Sequence, residues 1–266
     1  MADQGWAPPT DFDSSTPNFA RVYDYLLDGK DNFAVDQAIA EEALAVAPEL
    51  RVMARENRAF LRRAVRFLAA EAGIRQFLDI GTGLPTQGNV HEVAQAVAPG
   101  ARVVYVDADP VVVVHGRALL AGSDKVAIIQ ADLRRPEELL DDPQLRGLID
   151  LTEPVAVLLV AVLHGITEAE DPVGIVARIR DAVAPGSYLV LSHSSAEGLA
   201  EVSARVGAVL GRAAPFVPRT RAQVLRFMEG FELVEPGLVQ VPQWRPADAV
   251  ANPEGAWIYG AVGRKI

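Results

Sequence analysis

Three acids and two glycines fall at matching places along this chain. The run Phe77-Leu78-Asp79-Ile80-Gly81-Thr82-Gly83 starts as a short apolar strand and ends in a glycine turn. Val103-Val104-Tyr105-Val106-Asp107 is a second apolar run closed by a carboxylate, and Val126-Ala127-Ile128-Ile129-Gln130-Ala131-Asp132 is a third. Glycine lets the backbone come close to a ligand, and open α/β sheets bind nucleotides beyond the carboxyl ends of their strands. Behind the turn, Asn89-Val90-His91-Glu92 is a capping box that opens a helix to about Ala98. Strand, glycine turn and helix make half of a βαβ unit. Three successive strands thus bring a carboxylate or a glycine turn to one edge of one sheet, and that edge is expected to bind a nucleoside.

The elements around these residues must hold that edge in place. Residues 1–16 are rich in Pro, Asp, Ser and Thr without periodicity, which predicts a flexible arm. Residues 17–73 are expected to form an N-terminal helical cap. Its first helix runs from an N-cap at Thr16-Pro17 to near Asp28 with Gly29 as the stop, and its second from Phe33 to Ala47, halted by Pro48. The third spans about Arg51 to Ala72. Met53, Phe60, Leu61, Ala64, Val65 and Leu68 form its inward face, and Arg51, Arg55, Arg58, Arg62 and Arg66 its opposite one. Residues 74–266 then alternate strands and helices and are expected to form one compact unit with the cap. Val155 to Val160 is a continuous apolar run of the kind buried on both faces of a parallel sheet. A helix over 172–184, a strand over 187–192, helices from about Ala196 and Thr220, and strands over 231–234, 238–241 and 257–262 complete the pattern. The expected fold is α/β: a doubly wound, Rossmann-like sheet with an antiparallel edge.

Composition narrows the function. At 266 residues, half of them apolar, the chain can bury a full core. A net charge of −10 argues against a surface built to grip nucleic-acid phosphates. The absence of cysteine removes disulfides, zinc-thiolate sites and cysteine nucleophiles together. No stretch is long and apolar enough to span a bilayer, and the first residues lack the order of a signal peptide, so the expected setting is the cytoplasm, with no membrane or nucleic-acid partner. No cluster has metal-ligand spacing.

Two cofactors compete for the glycine turn. A dinucleotide fingerprint wants a third small residue where the chain has Thr86. S-adenosyl-L-methionine (SAM) accounts for more residues: Asp107 can accept from both ribose hydroxyls, and Asp132 with Leu133 can meet the adenine amino group and ring. The segments Phe77 to Thr86, Val104 to Pro110, Gln130 to Arg134 and Pro185 to His193 resemble the bacterial S-adenosyl methyltransferases of unassigned substrate. So does the N-terminal stretch Ala20-Arg21-Val22-Tyr23-Asp24-Tyr25-Leu26-Leu27-Asp28-Gly29-Lys30-Asp31-Asn32-Phe33. The resemblance runs from about Pro17 to the C-terminus. It implies a class I methyltransferase fold and SAM binding, and it supplies no acceptor. Pro85 stands where many class I enzymes have a third glycine, and Leu-Pro is usual there in this family, which implies an adjusted loop.

The expected cofactor contacts are Asp79, Gly81, Thr82, Gly83, Asp107, Ala108, Asp132, Leu133 and Ala161. Two readings stand for Asp79: contact with the methionine amino group, or support of the loop amides. Asp132 has a second reading as the cap of the turn before Pro136. Arg21, Tyr23, Tyr25, Lys30 and Asn32 concentrate polar and aromatic character in a short span, which suggests a cap over the site; a solvated amphipathic helix is the plainer alternative. Asn57, on the apolar row of its helix, is expected either to tie helices together or to touch ligand. His164 and His193 follow the fourth and fifth strands; each is a candidate pocket residue, and His164 a candidate base. His91 and His115 are expected on helix surfaces. The Asn/Asp-Pro-Pro-aromatic loop of many enzymes that methylate nucleobase or glutamine amino groups is absent after the fourth strand, where Ala161-Val162-Leu163-His164 stands. The reading is a SAM-dependent methyltransferase for a small-molecule acceptor. A non-catalytic SAM-binding module and a nicotinamide oxidoreductase are the alternatives.

Overall fold

The computed structural model describes residues 15–85, 88–120, 122–197, 200–246 and 257–266. Thr86, residues 1–14 of the expected arm, and the start of the helix expected from Ala196 lie wholly or partly outside them. In chain order the elements are α1 (Phe19–Leu26), α2 (Ala34–Val46), α3 (Leu50–Ala70), β1 (Gln76–Ile80), α4 (Val90–Val97), β2 (Arg102–Asp107), α5 (Pro110–Leu119), β3 (Val126–Gln130), α6 (Pro136–Leu140), α7 (Pro143–Leu148), β4 (Ala156–Val160), α8 (Pro172–Ala182), β5 (Tyr188–Ser194), α9 (Ala200–Leu210), α10 (Arg221–Arg226), β6 (Phe231–Leu233), β7 (Val239–Gln240) and β8 (Ile258–Lys265).

The sheet runs β3-β2-β1-β4-β5-β8-β6, with β7 also pairing β8. Strands β1 to β5 are parallel; β8 is antiparallel to β5, and β6 and β7 pair β8 in turn along its other edge. The order reverses between β1 and β4, which opens a crevice at their carboxyl ends. Both faces are covered, and the two-residue period of the strands sorts side chains between them. Phe77, Val103, Tyr105 and Val190 face a layer containing α3, α4, α5 and α9. Leu78, Val104, Val106, Leu189 and Leu191 face a layer with α6, α7, α8 and α10.

The stripe Phe60, Leu61, Ala64, Val65 and Leu68 lays α3 on the sheet in the same hydrophobic layer as β1 and β2. Arg63 fastens α3 to the C-terminal part of the chain by donating to the carbonyls of Trp244 and Val241 (2.8 and 2.6 Å). The N-cap of α1 is Asn18, not Thr16. Its side chain accepts from the Ala20 N–H (2.7 Å), and its own N–H donates to buried Asp36 (2.9 Å), so tertiary contact selects the cap. Gly29 is likewise no ordinary helix stop. A Cβ there would lie 2.0 Å from the Asp24 carboxylate, so glycine is required by close approach. The capping box at Asn89 and Glu92 stands as expected, and Asp109 caps α5 ahead of Pro110 by accepting from the Val111 N–H.

Candidate functional site

A cleft of about 230 Å³ opens over the carboxyl ends of β1, β2 and β4, between α1 and the loop after β4. Gly81 and Gly83 shape its floor, both with left-handed backbone (φ +73° and +67°). A Cβ on Gly81 would meet Val162 at 2.4 Å, whereas one on Gly83 would meet nothing within 4 Å. The first glycine therefore serves packing and the second keeps a bare backbone wall toward the cleft. The Gly81 and Thr82 amides are held by the Val106 carbonyl (2.8 and 3.1 Å), and Gly83 donates to Asp107 Oδ2 (2.9 Å).

Asp107 is the pivot of this wall. Its Oδ1 accepts from the Asp109 N–H (2.9 Å), so each carboxylate oxygen holds one backbone amide and keeps a lone pair for a ligand. Burial raises its pKa, against the pull of those amides. Asp79 lies deeper. It accepts from the Thr82 hydroxyl (3.1 Å), and burial lifts its pKa to about 6 despite the opposing charge of Arg58. Asp132 and Leu133 line the far side with Ala108 and Ala131. Asp132 also caps its turn, accepting from the Arg134 N–H (2.9 Å), and lines the cleft as well. Ala161 stands in the wall with φ +56°, an uncommon conformation for a non-glycine residue, its N–H taken by Ser192.

His164 closes the cleft on the β4 side. It is buried, ringed by Phe19 and Phe216 at 5.2 and 4.8 Å between centroids, and its Nδ1 faces the Ser194 hydroxyl at 3.4 Å. Its Nε2 is buried without a hydrogen-bond partner among the described residues. Burial, with His193 and Arg219 nearby, holds its pKa well below the usual imidazole value. The loop that carries it is clamped at four consecutive carbonyls. Arg219 donates to Leu163 and Ile166 (2.9 and 2.8 Å), the Val217 amide to His164 (2.7 Å), and Arg134 to Gly165 (3.2 Å).

From the N-terminal helices, Asn18, Phe19, Ala20 and Tyr23 on one side and Asn57, Arg58 and Leu61 on the other reach the cleft. Asn57 has both expected roles available. Its Nδ2 donates to the Tyr23 hydroxyl (3.0 Å), which in turn donates to the Ala54 carbonyl (3.1 Å), while its buried Oδ1 has no partner among the described residues.

Several expected pocket residues lie elsewhere. His193 sits beneath the cleft, not in its wall: its Nδ1 faces the Ser194 carbonyl, its Nε2 faces Arg219 Nη1 at 2.9 Å, and its ring stacks on Phe227. Tyr25 turns outward to Glu41 (2.5 Å) and Arg51. Arg21 is buried against the Thr16 carbonyl and Asp36 (2.7 and 3.4 Å), and Lys30 is exposed away from the cleft. Asn32 donates to Asp24 and the Gly29 carbonyl (2.8 and 3.0 Å), locking the turn between α1 and α2. Arg58, assigned above to the outward face of α3, faces the cleft instead. Its neighbours Arg51 and Arg55 grip Asp28 (2.7 and 2.5 Å), while Arg55, Arg62 and Arg66 are exposed as expected of that face. His91 also departs from a free surface role, since its N–H donates to the Tyr105 hydroxyl at 2.9 Å. Arg219 and Arg134 were missed, and sequence offered little to find them, because each acts across more than 30 positions on a loop with no periodicity.

A family model described as S-adenosyl methyltransferase matches residues 6–266. The chain belongs to this family of SAM-dependent methyltransferases. Among solved structures, a Thermobifida fusca protein whose methyltransferase assignment names no acceptor is 46% identical, with 97% of this chain and 98% of that one covered and a TM-score of 0.92. A DUF574 family protein of Streptomyces avermitilis is 44% identical over 96% of this chain and 99% of its own, with a TM-score of 0.91. The mitomycin 7-O-methyltransferase shares the fold (TM-score 0.53, 19% identity, 92% of this chain and 68% of that one covered). No curated protein matches. The fold is the class I, Rossmann-like methyltransferase fold, and the cofactor is SAM, which sets the nicotinamide reading aside. The cleft suits it: a bare backbone at Gly83, acceptors at Asp107 and Asp132, and the buried carboxylate and amide oxygens of Asp79 and Asn57 offer a donor-rich cofactor the partners it needs. Among the described residues, no three His, Asp or Glu side chains converge as metal ligands would, and no helix is long and apolar enough to cross a membrane.

Proposed function

We propose that the protein is an active SAM-dependent methyltransferase that methylates a small-molecule acceptor, with His164 as the general base. One observation carries this reading: a buried imidazole nitrogen without a partner lines the same cavity as the carboxylates that suit the cofactor. Bound SAM supplies a methyl group already activated on a sulfonium. The chain must then hold the acceptor in line, exclude water and take up a proton. In this reading Asp107 holds the ribose, Asp132 and Leu133 the adenine, Gly83 gives the backbone room to approach, and Asp79 with Asn57 orients the amino-acid end. The clamped loop fixes His164 beside Phe19 and Phe216, and their rings keep water from its Nε2. Tyr23, tied to Asn57, helps close the cleft over the bound cofactor.

Turnover of methyl-labelled SAM on an acceptor library tests the activity. For an acceptor with a hydroxyl, His164→Ala is expected to lower kcat by about 10²–10⁴-fold with little change in SAM affinity. The acid limb of the kcat profile should lie below pH 6.5, because burial keeps the imidazole neutral through that range. A chain that binds SAM tightly and methylates nothing in the library would favour the non-catalytic reading.

A further inference from the structure

A second cavity, of about 60 Å³, adjoins the cleft behind Phe19, Tyr23, Ala161 and His164, which line both spaces and form the partition between them. It lies between α1, the start of α3, α9 and the facing ends of β5 and β8. Met53, Phe216 and Trp257 contribute thioether and aromatic surface, and Ser194, Ser195 and Ser203 form its polar edge. No Asp, Glu, Lys or Arg is among the described residues that line it.

We propose that this cavity seats the methyl acceptor, and that the acceptor is an uncharged aromatic compound carrying a phenol-type hydroxyl presented to His164 at the partition. The inference rests on the methyltransferase reading above. A charged group buried here would lose its hydration and find no countercharge, at a cost of several kcal/mol. Aromatic and thioether walls favour a planar ring, edge-on or stacked. Size divides the ligand between the two spaces. A dry cavity near 150 Å³ holds a whole benzene ring, so 60 Å³ takes the far edge of an aromatic system and leaves its substituted edge between Phe19 and His164.

That placement brings the hydroxyl to the His164 nitrogen that lacks a partner among the described residues, while Ser194 holds the other. In the transfer the hydroxyl proton passes to Nε2. The oxygen forms its bond to the methyl carbon as the carbon–sulfur bond breaks, and the electron pair of that bond stays on sulfur. The positive charge of the sulfonium reappears on the imidazolium, so charge and atoms balance. A phenol, whose pKa is near 10, gives up its proton far more readily than an aliphatic alcohol, so it is the hydroxyl that a buried neutral imidazole can serve.

The probes are 1-naphthol and 1-naphthoate, measured by ligand-observed NMR on protein saturated with S-adenosylhomocysteine, whose own affinity is followed by calorimetry. 1-Naphthol is expected to bind at least 10-fold tighter than 1-naphthoate. Ser203→Leu and Val206→Phe, which fill the cavity from α9, should each weaken 1-naphthol at least 10-fold and leave S-adenosylhomocysteine affinity unchanged. Equal binding of the two probes, or 1-naphthol binding that both variants tolerate, overturns the proposal. If S-adenosylhomocysteine itself fails to bind, the cofactor reading fails instead, so the two failures are distinguishable.

Discussion

At the scale of single residues, two aspartates in one cleft are set for different tasks by what surrounds them. Asp107 is held by two backbone amides with lone pairs to spare, and Asp107→Ala is expected to weaken SAM by about 10- to 150-fold, the cost of ~1.5–3 kcal/mol of charged hydrogen bonds. Calorimetry on the variant checks it, and parental affinity would displace the ribose from this position. Asp79 is buried with a pKa near 6, raised from 3.8. A raised folded-state value means that its contribution to stability is present below pH 3.8 and lost as pH climbs through about 6. Asp79→Asn, which keeps an acceptor for Thr82, should therefore stabilise the ligand-free protein at pH 7.5 by on the order of 2–3 kcal/mol, read as a higher melting temperature, with no gain at pH 4. If the carboxylate meets the cofactor's amino group, parental SAM affinity rises between pH 5 and 7 and that of Asp79→Asn stays flat. If Asp79 only supports the loop, the two profiles coincide.

At the scale of elements, the turn between α1 and α2 depends on one side chain. Asp24 accepts from the Asp31 N–H and from Asn32 (3.0 and 2.8 Å) and fills the space that Gly29 leaves open. Asp24→Ala should speed hydrogen exchange through residues 28–33 by one to two orders of magnitude, about what the loss of ~1.5–3 kcal/mol of hydrogen bonds implies, while β1 to β5 keep parental protection. In the parent, added SAM should slow exchange over residues 17–33. The same turn explains what the sequence could and could not reveal. Asp79, Gly83, Asp107 and Asp132 were legible because strand order alone brings strand ends to one edge. The polar residues after Tyr23 looked like ligand contacts, yet Asp24 and Asn32 satisfy each other and the turn; composition does not separate groups that bind one another from groups that await a ligand. His193 was misplaced for a reason of parity. A strand end fixes the edge, but the pleat alternates faces, and it points His193 toward Arg219 and Phe227 while Ser194 meets His164. Arg219 could not be read at all, since it lies outside every named strand and meets the end of β5 from a loop, through His193, the Ser194 carbonyl and an isolated bridge to Ser195.

At the scale of the whole molecule, stability should fall on the acid side through a buried base. Burial lowers the His193 pKa to about 4 from 6.5, against the opposing bond to the Ser194 carbonyl, with Arg219 adding to the fall. The folded-state value is depressed, so its contribution is complete above pH 6.5 and lost as pH falls through about 4. A proton on Nε2 would also break the bond from Arg219, whose other arms hold the His164 loop. The unfolding free energy of the parent, from urea titrations, should drop across that window by on the order of 3 kcal/mol, and that of His193→Gln should start lower and drop less. The last strand carries a different consequence. Every residue of β5 pairs β8, and among the described residues β6 and β7 have no other partner in the sheet. On a ribosome adding 5–20 residues per second, β8 follows β5 by about 70 residues, or roughly 4–14 s. For that interval the nascent chain carries β5 with an open hydrogen-bonding edge, the kind of surface that recruits other chains. The half of the molecule that suits the cofactor is complete in sequence before this gap, so what the cell must shield during synthesis is the side proposed to take the acceptor.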